Sequence, residues 1–337
     1  MSTDIPQRLG KYDVIREINR GSMGTVYLGH DPYADRPVAI KVAHAEQLKD
    51  EESGDRYRKM FFNEAHTAGR LTHPNIISIF DAGVDGEICY IIMEYVEGDH
   101  TLKPYCKADS LLPIEKVVEI SFKCARALDY AYKQGVIHRD IKPTNILVTQ
   151  DMDTKIGDFS IAHLTKMDST ETMPMGLVGS PRYMSPEQVS EDYLTHQTDI
   201  FSFGIVMYEL LCGKHPFAAD NFSRLVQKIL NDTPPALSEF RSGIDPALER
   251  IVSKALAKDR AQRYQMGGGT RDRSQCCVRA NSRSAARGHF RTREVSCGQA
   301  TGIFPRIPRC RNVGNRQGWE LAGVSGRRRD NPGGRPR

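Results

Sequence analysis

Residues 138 to 145 read His-Arg-Asp-Ile-Lys-Pro-Thr-Asn, which puts one acid, one amide and two fixed cations within eight residues. A helical run ends before them at Gly135, and a β-type run, Ile146-Leu147-Val148, follows, so the stretch is a loop. Asp140 can orient a hydroxyl and accept its proton. Lys142, two residues on, can neutralise charge on a phosphoryl group. Asn145 can offer its amide oxygen to a divalent metal. Phosphoryl transfer needs such a set, because its catalysis is mostly positioning plus electrostatic stabilisation.

Other stretches carry groups that could serve the same chemistry. Gly21 and Gly24 sit in a turn between two β-type runs, where backbone N–H groups could approach phosphate oxygens. Pro37-Val38-Ala39-Ile40-Lys41-Val42 is a strongly β-forming run with one lysine inside it. Residues 55 to 71 have helical spacing, with Phe61, Ala65, Ala68 and Leu71 on or near one face and Glu64 among them. Ile76 to Phe80 and Cys89 to Met93 read as strands. Pro113 to Gly135 is the clearest helix, with proline near its start and glycine just past its end. Asp158 lies thirteen residues beyond Asn145, again after a turn and a strand. An apolar helix runs from Asp199 to Leu211, with Gly213 as its cap, and two more cover 222 to 230 and 246 to 256.

In order and spacing these stretches resemble the protein kinases, and within them the bacterial Hanks-type serine/threonine kinases. The resemblance covers about residues 10 to 264. It rests on Gly-Ser-Met-Gly-Thr-Val-Tyr at 21–27, Val-Ala-Ile-Lys at 38–41, the 138–145 loop, Asp-Phe-Ser at 158–160 and Gly-Ser-Pro-Arg-Tyr-Met-Ser-Pro-Glu at 179–187. It implies an α+β bilobal fold: a small β-rich N-lobe with one helix (about 11–93), a hinge (94–98) and a larger, mainly helical C-lobe (99–264). Residues 1–10 are expected to be an extension. ATP is expected between the lobes, with magnesium, or manganese in its place.

The resemblance also implies roles. Asp140 would accept the substrate proton, Lys142 would stabilise the transferring phosphoryl group, and Asn145 and Asp158 would hold metal. Lys41 would contact the α- and β-phosphates, with Glu64 as its partner. Gly21, Ser22, Met23, Gly24, Val26 and Ala39 would enclose the nucleotide. Backbone groups at Glu94 and Val96 would hold the adenine edge, with Met93 guarding the pocket behind. Arg139 would pair with a phosphate on the activation segment, at Thr170 or Thr172. Ser180 would lie near the substrate hydroxyl. Glu187 and Arg263 would form a buried ion pair, and Asp199 would hold the catalytic loop. Two departures stand out. Asn19 replaces the first glycine of the family's loop, which predicts weaker nucleotide binding, and Ser160 replaces the glycine of Asp-Phe-Gly, which predicts altered regulation. The competing reading is a pseudokinase, a nucleotide-binding scaffold without turnover.

The net charge of +5 averages two unlike segments. Residues 265 to 337 hold sixteen Arg, no Lys and four acidic residues, a net of +12, whereas the preceding chain carries −7. That tail has no apolar periodicity. It reads as disorder, as a nucleic-acid-binding arm, or as an out-of-frame translation, the last favoured by the abrupt loss of lysine. The family's final helix would then be missing. Nucleic acid is expected only through this tail. The other expected partners are protein substrates, ATP and a second copy of the chain in activation. No run of 18 apolar residues appears, and the N-terminus lacks the pattern of a signal peptide, so a cytoplasmic location is expected. The eight cysteines show no metal-ligand spacing and are expected as free thiols.

Overall fold

The computed structural model describes residues 6–21, 24–44, 51–159 and 181–265. A six-stranded antiparallel sheet has the order β1-β2-β3-β4-β6-β5. Its strands are β1 (Arg8–Leu9), β2 (Tyr12–Gly21), β3 (Gly24–Asp31), β4 (Arg36–Val42), β5 (Ile79–Asp85) and β6 (Ile88–Glu94). One helix, α1 (Glu51–Ala68), packs on it. The period-two alternation of β4 decides which face is which. Val38 and Ile40 join Tyr12, Tyr27 and Ile92 in one core cluster. Ala39 and Lys41 therefore face the other side, where Ala43, Cys89 and Ile91 meet Phe61 and Ala65 of α1. Lys41 lies opposite Ile91, so its ammonium emerges beneath α1.

The helical lobe is built around α4 (His196–Cys212), every residue of which is buried. A helix that is apolar on all sides belongs at the centre of a lobe. Thr195 caps its start, and Gly213 ends it in the left-handed conformation (φ 73°). A Cβ at Gly213 would fall 2.4 Å from the Ala108 nitrogen, so glycine is required there. Around α4 lie α2 (Ile114–Lys133), the short α3 (Pro186–Val189), α5 (Phe222–Asn231) and α6 (Pro246–Ala255). A small sheet, β7 (His100–Thr101), β8 (Ile146–Val148) and β9 (Thr154–Ile156), flanks the catalytic loop. Cys89, Cys106, Cys124 and Cys212 are free and buried. Burial pushes the Cys106 and Cys124 thiols up to about 12, which suits packing rather than reactivity.

Several boundaries differ from the sequence reading, among them the first helix, which spans Glu51–Ala68 rather than 55–71. Leu9, assigned to an extension, pairs with Tyr12 and is buried in the sheet's core. The strand expected at 76–80 begins instead at Ile79. Ile76 and Ile77 are spent on the other lobe: Ile76 bridges to Ile156, and the Ile77 N–H donates to the Ile156 carbonyl at 2.9 Å. Apolar, β-branched residues suit either task, and only the tertiary partner chooses. Finally, α4 starts at His196, about one turn before Asp199.

Candidate active site

The catalytic loop hangs from Asp199 on α4. Its two carboxylate oxygens accept the backbone N–H groups of His138 (2.8 Å) and Arg139 (2.7 Å). The Arg139 carbonyl in turn accepts the side-chain amide of Gln188 at 2.8 Å. Arg139 has φ of 68°, a conformation that costs energy for a non-glycine residue and persists only when its surroundings over-determine it. Those three hydrogen bonds are the over-determination. The His138 ring is fully buried. Its Nε2–H donates to the Gly157 carbonyl at 2.8 Å, and the ring packs on Phe159 with centroids 4.5 Å apart. One imidazole thus couples the catalytic loop to the backbone beside Asp158.

Within the loop, the Lys142 ammonium donates to Asp140 Oδ2 at 2.6 Å. The Asn145 amide nitrogen donates to the Asp140 carbonyl (2.9 Å) and to Asp140 Oδ2 (3.2 Å). That orients the Asn145 oxygen away from the acid. Across the cleft, the Lys41 ammonium reaches Glu64 Oε1 at 2.7 Å and Asp158 Oδ1 at 3.0 Å. Burial pulls the Lys41 ammonium down, but the carboxylates of Asp158 and Glu64 outweigh it and hold the group above its ordinary range. Lys41 in turn holds Asp158 below the usual carboxylate range, against burial. Glu64 is raised, because its burial exceeds the pull of Lys41. Asp158, with φ of 55°, keeps about half of its side chain exposed to the cleft. Asp158 and Asn145 offer hard oxygen donors on one side of the cleft, a set that fits magnesium completed by phosphate oxygens.

The sheet supplies the roof of the site. Val26 lies opposite Lys41, and Ala39 opposite Met93, so these four assigned residues are clustered by register alone. Gly21 pairs with Gly24, and a Cβ on Gly24 (φ 150°) would fall 2.2 Å from the Val42 carbonyl oxygen. Gly24 is therefore demanded by the backbone itself. A Cβ on Gly21 would meet only the Gly24 carbonyl, at 3.8 Å, and its carbonyl accepts the His44 ring N–H at 2.8 Å. Asn19 sits opposite Val26, beside a β-bulge. Glu94 and Val96 occupy the link between lobes; Val96 is buried, and the Glu94 side chain pairs with Lys155. Ser22, Met23, Ser160, Thr170, Thr172 and Ser180 lie outside the described residues.

Below the loop, Glu187 and Arg263 form a two-pronged ion pair at 2.7 and 2.9 Å, with essentially no exposure. Arg263 also donates to the carbonyls of Ala257, Gln197 and Lys258, and Thr198 donates to Glu187. The pair is fully hydrogen-bonded, which is the condition for a buried charge to be tolerated.

A family profile described as "Protein kinase domain" matches residues 12–270. The chain belongs to the protein kinase family. It is 38% identical over 257 residues to the serine/threonine-protein kinase PrkC of Bacillus subtilis, covering 76% of this chain and 39% of PrkC. It is 33% identical over 267 residues to the serine/threonine-protein kinase PknB of Mycobacterium leprae, covering 78% of this chain and 42% of PknB. The chain thus spans about two fifths of the length of these relatives. Among the described residues no helix is long and apolar enough to cross a membrane.

The sequence reading missed several residues of this kinase site. Gln188 was legible in part: Ser185 and Gln188 form a capping box on α3, a pattern visible as Ser-x-x-Gln. That its amide also reaches the Arg139 carbonyl depends on where α3 docks. His138 was read only as part of a motif, and its link to Gly157 has no sequence signature. Tyr183 donates to the buried Glu209 at 2.6 Å, and Arg16 pairs with Asp99 at 2.6 Å; these partners lie 26 and 83 residues apart.

Proposed function

We propose that this chain is an ATP-dependent protein kinase acting on serine and threonine hydroxyls. The observation that carries this reading is the state of Asp140. Its carboxylate is tied to Lys142 and Asn145 on a loop clamped by Asp199, and the loop is joined through His138 to the segment bearing Asp158, which meets Lys41. The names of the relatives support serine and threonine as acceptors.

Asp140 orients the acceptor hydroxyl and takes its proton as the oxygen bonds to the γ-phosphorus. The bond from that phosphorus to the β–γ bridging oxygen breaks, and its electron pair leaves with ADP. Lys142 is close enough to Asp140 to neutralise charge on the moving phosphoryl group, while Lys41 serves the α- and β-phosphates. Asn145 and Asp158 would hold magnesium, or manganese, which when bound offsets phosphate charge. These groups are set in place before substrate arrives, which is where most of such catalysis lies.

Arg139 supports a regulatory role. Burial pulls its guanidinium below its ordinary range, and its Nε and one terminal nitrogen have no hydrogen-bond partner among the described residues. A half-buried guanidinium with two nitrogens lacking a hydrogen-bond partner among the described residues suits a phosphate carried by the activation segment, at Thr170 or Thr172. The test is intact-mass analysis of phosphatase-treated protein given ATP and magnesium, beside Asp140→Asn. Added phosphate in the parent chain alone supports the proposal, and peptide mapping then tests the two threonines. No phosphate on the parent chain or on added protein substrates would leave a nucleotide-binding scaffold.

A further inference from the structure

Where the hinge joins the two lobes, the fold leaves an open cavity of about 490 Å³. None of Lys41, Asp140, Asn145 and Asp158 lines it. Its walls come from three parts of the kinase: Arg36 and Phe80 from the large sheet, Glu94 and Tyr95 from the hinge, and Lys155 from β9.

The charges in it do not cancel. Glu94, the carboxylate among the lining residues, is fully engaged: Oε1 takes the Lys155 ammonium at 2.8 Å, and Oε2 accepts the Ser78 N–H at 3.2 Å. Lys155 also donates to the Pro74 carbonyl at 2.8 Å. That leaves Arg36. Its guanidinium carbon sits 3.6 Å above the centre of the Phe80 ring. Its Nε is buried and has no hydrogen-bond partner among the described residues. That nitrogen has essentially no accessible surface, so a ligand in the cavity would meet the terminal nitrogens, which carry no hydrogen bond among the described residues.

We propose that this cavity is a second ligand site, distinct from the nucleotide cleft, for a small organic carboxylate with a flat apolar body. A planar guanidinium lying on an aromatic face keeps its two terminal nitrogens available, and that pair of donors matches a carboxylate. The Phe80 ring and the prolines at 37 and 74 supply apolar wall for the rest of the ligand. The volume falls within the range of small-molecule sites. Since the walls belong to both lobes and to the hinge, a bound carboxylate touches the pivot between them.

The probe is benzoate, with benzamide as its uncharged isostere. Both are titrated against the whole chain and followed by ligand-observed NMR and calorimetry. Saturable benzoate binding is expected, with benzamide at least about tenfold weaker, as loss of a charge-assisted contact requires. Arg36→Met keeps an apolar stem over Phe80 and removes the guanidinium. It is expected to weaken benzoate at least about tenfold while its melting temperature stays within about 2 °C of the parent. Equal affinity in Arg36→Met, equal affinity for benzamide, or no saturable benzoate binding up to about 10 mM would each overturn the proposal. Should Arg36→Met prove unstable, Phe80→Leu serves in its place and is expected to weaken benzoate severalfold, since it removes the ring that holds the guanidinium flat.

Discussion

On the C-lobe side of the cleft, Asp199 gives both carboxylate oxygens to the backbone of the catalytic loop, and a second buried pair, Glu187 with Arg263, braces the segment beside it. On the N-lobe side, Lys41 reaches Glu64 and Asp158 through one ammonium, and the glycine turn is held by strand pairing and the His44 contact. The packing follows the same division. One large cluster surrounds α4, whereas the N-lobe sheet has two small clusters, one on each face. Asp199 fixes backbone directly, so the loop cannot shift without breaking buried hydrogen bonds, whereas Lys41 fixes only side chains, although its pair with Glu64 is buried and costly to break as well. The C-lobe therefore presents a template anchored through backbone, and the N-lobe an arm held to it through side chains.

The largest effect should come from the brace. Arg263→Ala leaves Glu187 buried and unpaired and is expected to cost about 3–5 kcal/mol in urea unfolding. Replacing both partners with apolar residues, Glu187→Met with Arg263→Leu, should recover much of that loss. If the single and double variants are equally unstable, the brace is not an ion-pair effect.

Next in size is the anchor. Asp199→Asn keeps the shape but can accept only one of the two backbone N–H groups with its oxygen. A fall of about 100-fold in kcat is expected, with ATP affinity nearly unchanged, because misplacing a catalytic group by about 1 Å costs that much. An equal loss of ATP affinity would mean that the C-lobe template also sets the N-lobe arm.

A pH dependence should also belong to the template. Burial pulls the His215 imidazole down to about 4. Its Nε2–H donates to the Arg182 carbonyl, and its Nδ1 accepts the Phe217 N–H, so the neutral ring is fully satisfied and a second proton has no acceptor. Between pH 6.5 and 4 the unfolded chain takes up a proton at this position that the folded chain does not, so stability falls as pH falls across that window. His215→Gln should flatten the slope by up to about 1.4 kcal/mol per pH unit, read from unfolding midpoints between those values.

On the arm the effects should be smaller. Glu64→Gln keeps a hydrogen bond to Lys41 but removes a charge, and kcat/KM is expected to fall about tenfold, with a smaller loss of stability than Arg263→Ala because Asp158 still pairs with Lys41. Arg16, on β2 and half exposed, pairs with Asp99 beyond the hinge. Arg16→Ala should raise the KM for ATP by no more than about threefold, and the difference should vanish near 1 M salt, where exposed charges are screened within about 3 Å.

The groups proposed to do the chemistry were legible because they sit in short loops whose neighbours match the family's motif. Asp140, Lys142 and Asn145 lie within six residues of one another, and their mutual geometry follows from local chain. Helices α2, α5 and α6 were readable for a similar reason, since their apolar faces repeat at helical spacing and two of them begin at or beside proline. The sheet was less so. The run at Ile76 has the composition of a strand, yet its residues bond to β9 in the other lobe. Leu9 looked like part of a tail until Tyr12 appeared as its partner.

The order and spacing of the motifs pointed to the protein kinases, the family that the profile match shows; Asp140 as catalytic acid, Lys41 as the strand lysine and Asp158 as the metal-side carboxylate are roles that this resemblance implies. The same resemblance implies that Glu187 and Arg263 should meet. The tertiary structure alone decided the rest: the left-handed turn at Arg139 held by Asp199 and Gln188, the His138 link to Gly157, and the Arg36 guanidinium stacked on Phe80. Local patterns carry periodicity and loop chemistry, because those depend on residues within a few positions of each other. A hydrogen bond or an unsatisfied charge between elements distant in sequence depends on how they dock, and docking is set by the whole core at once.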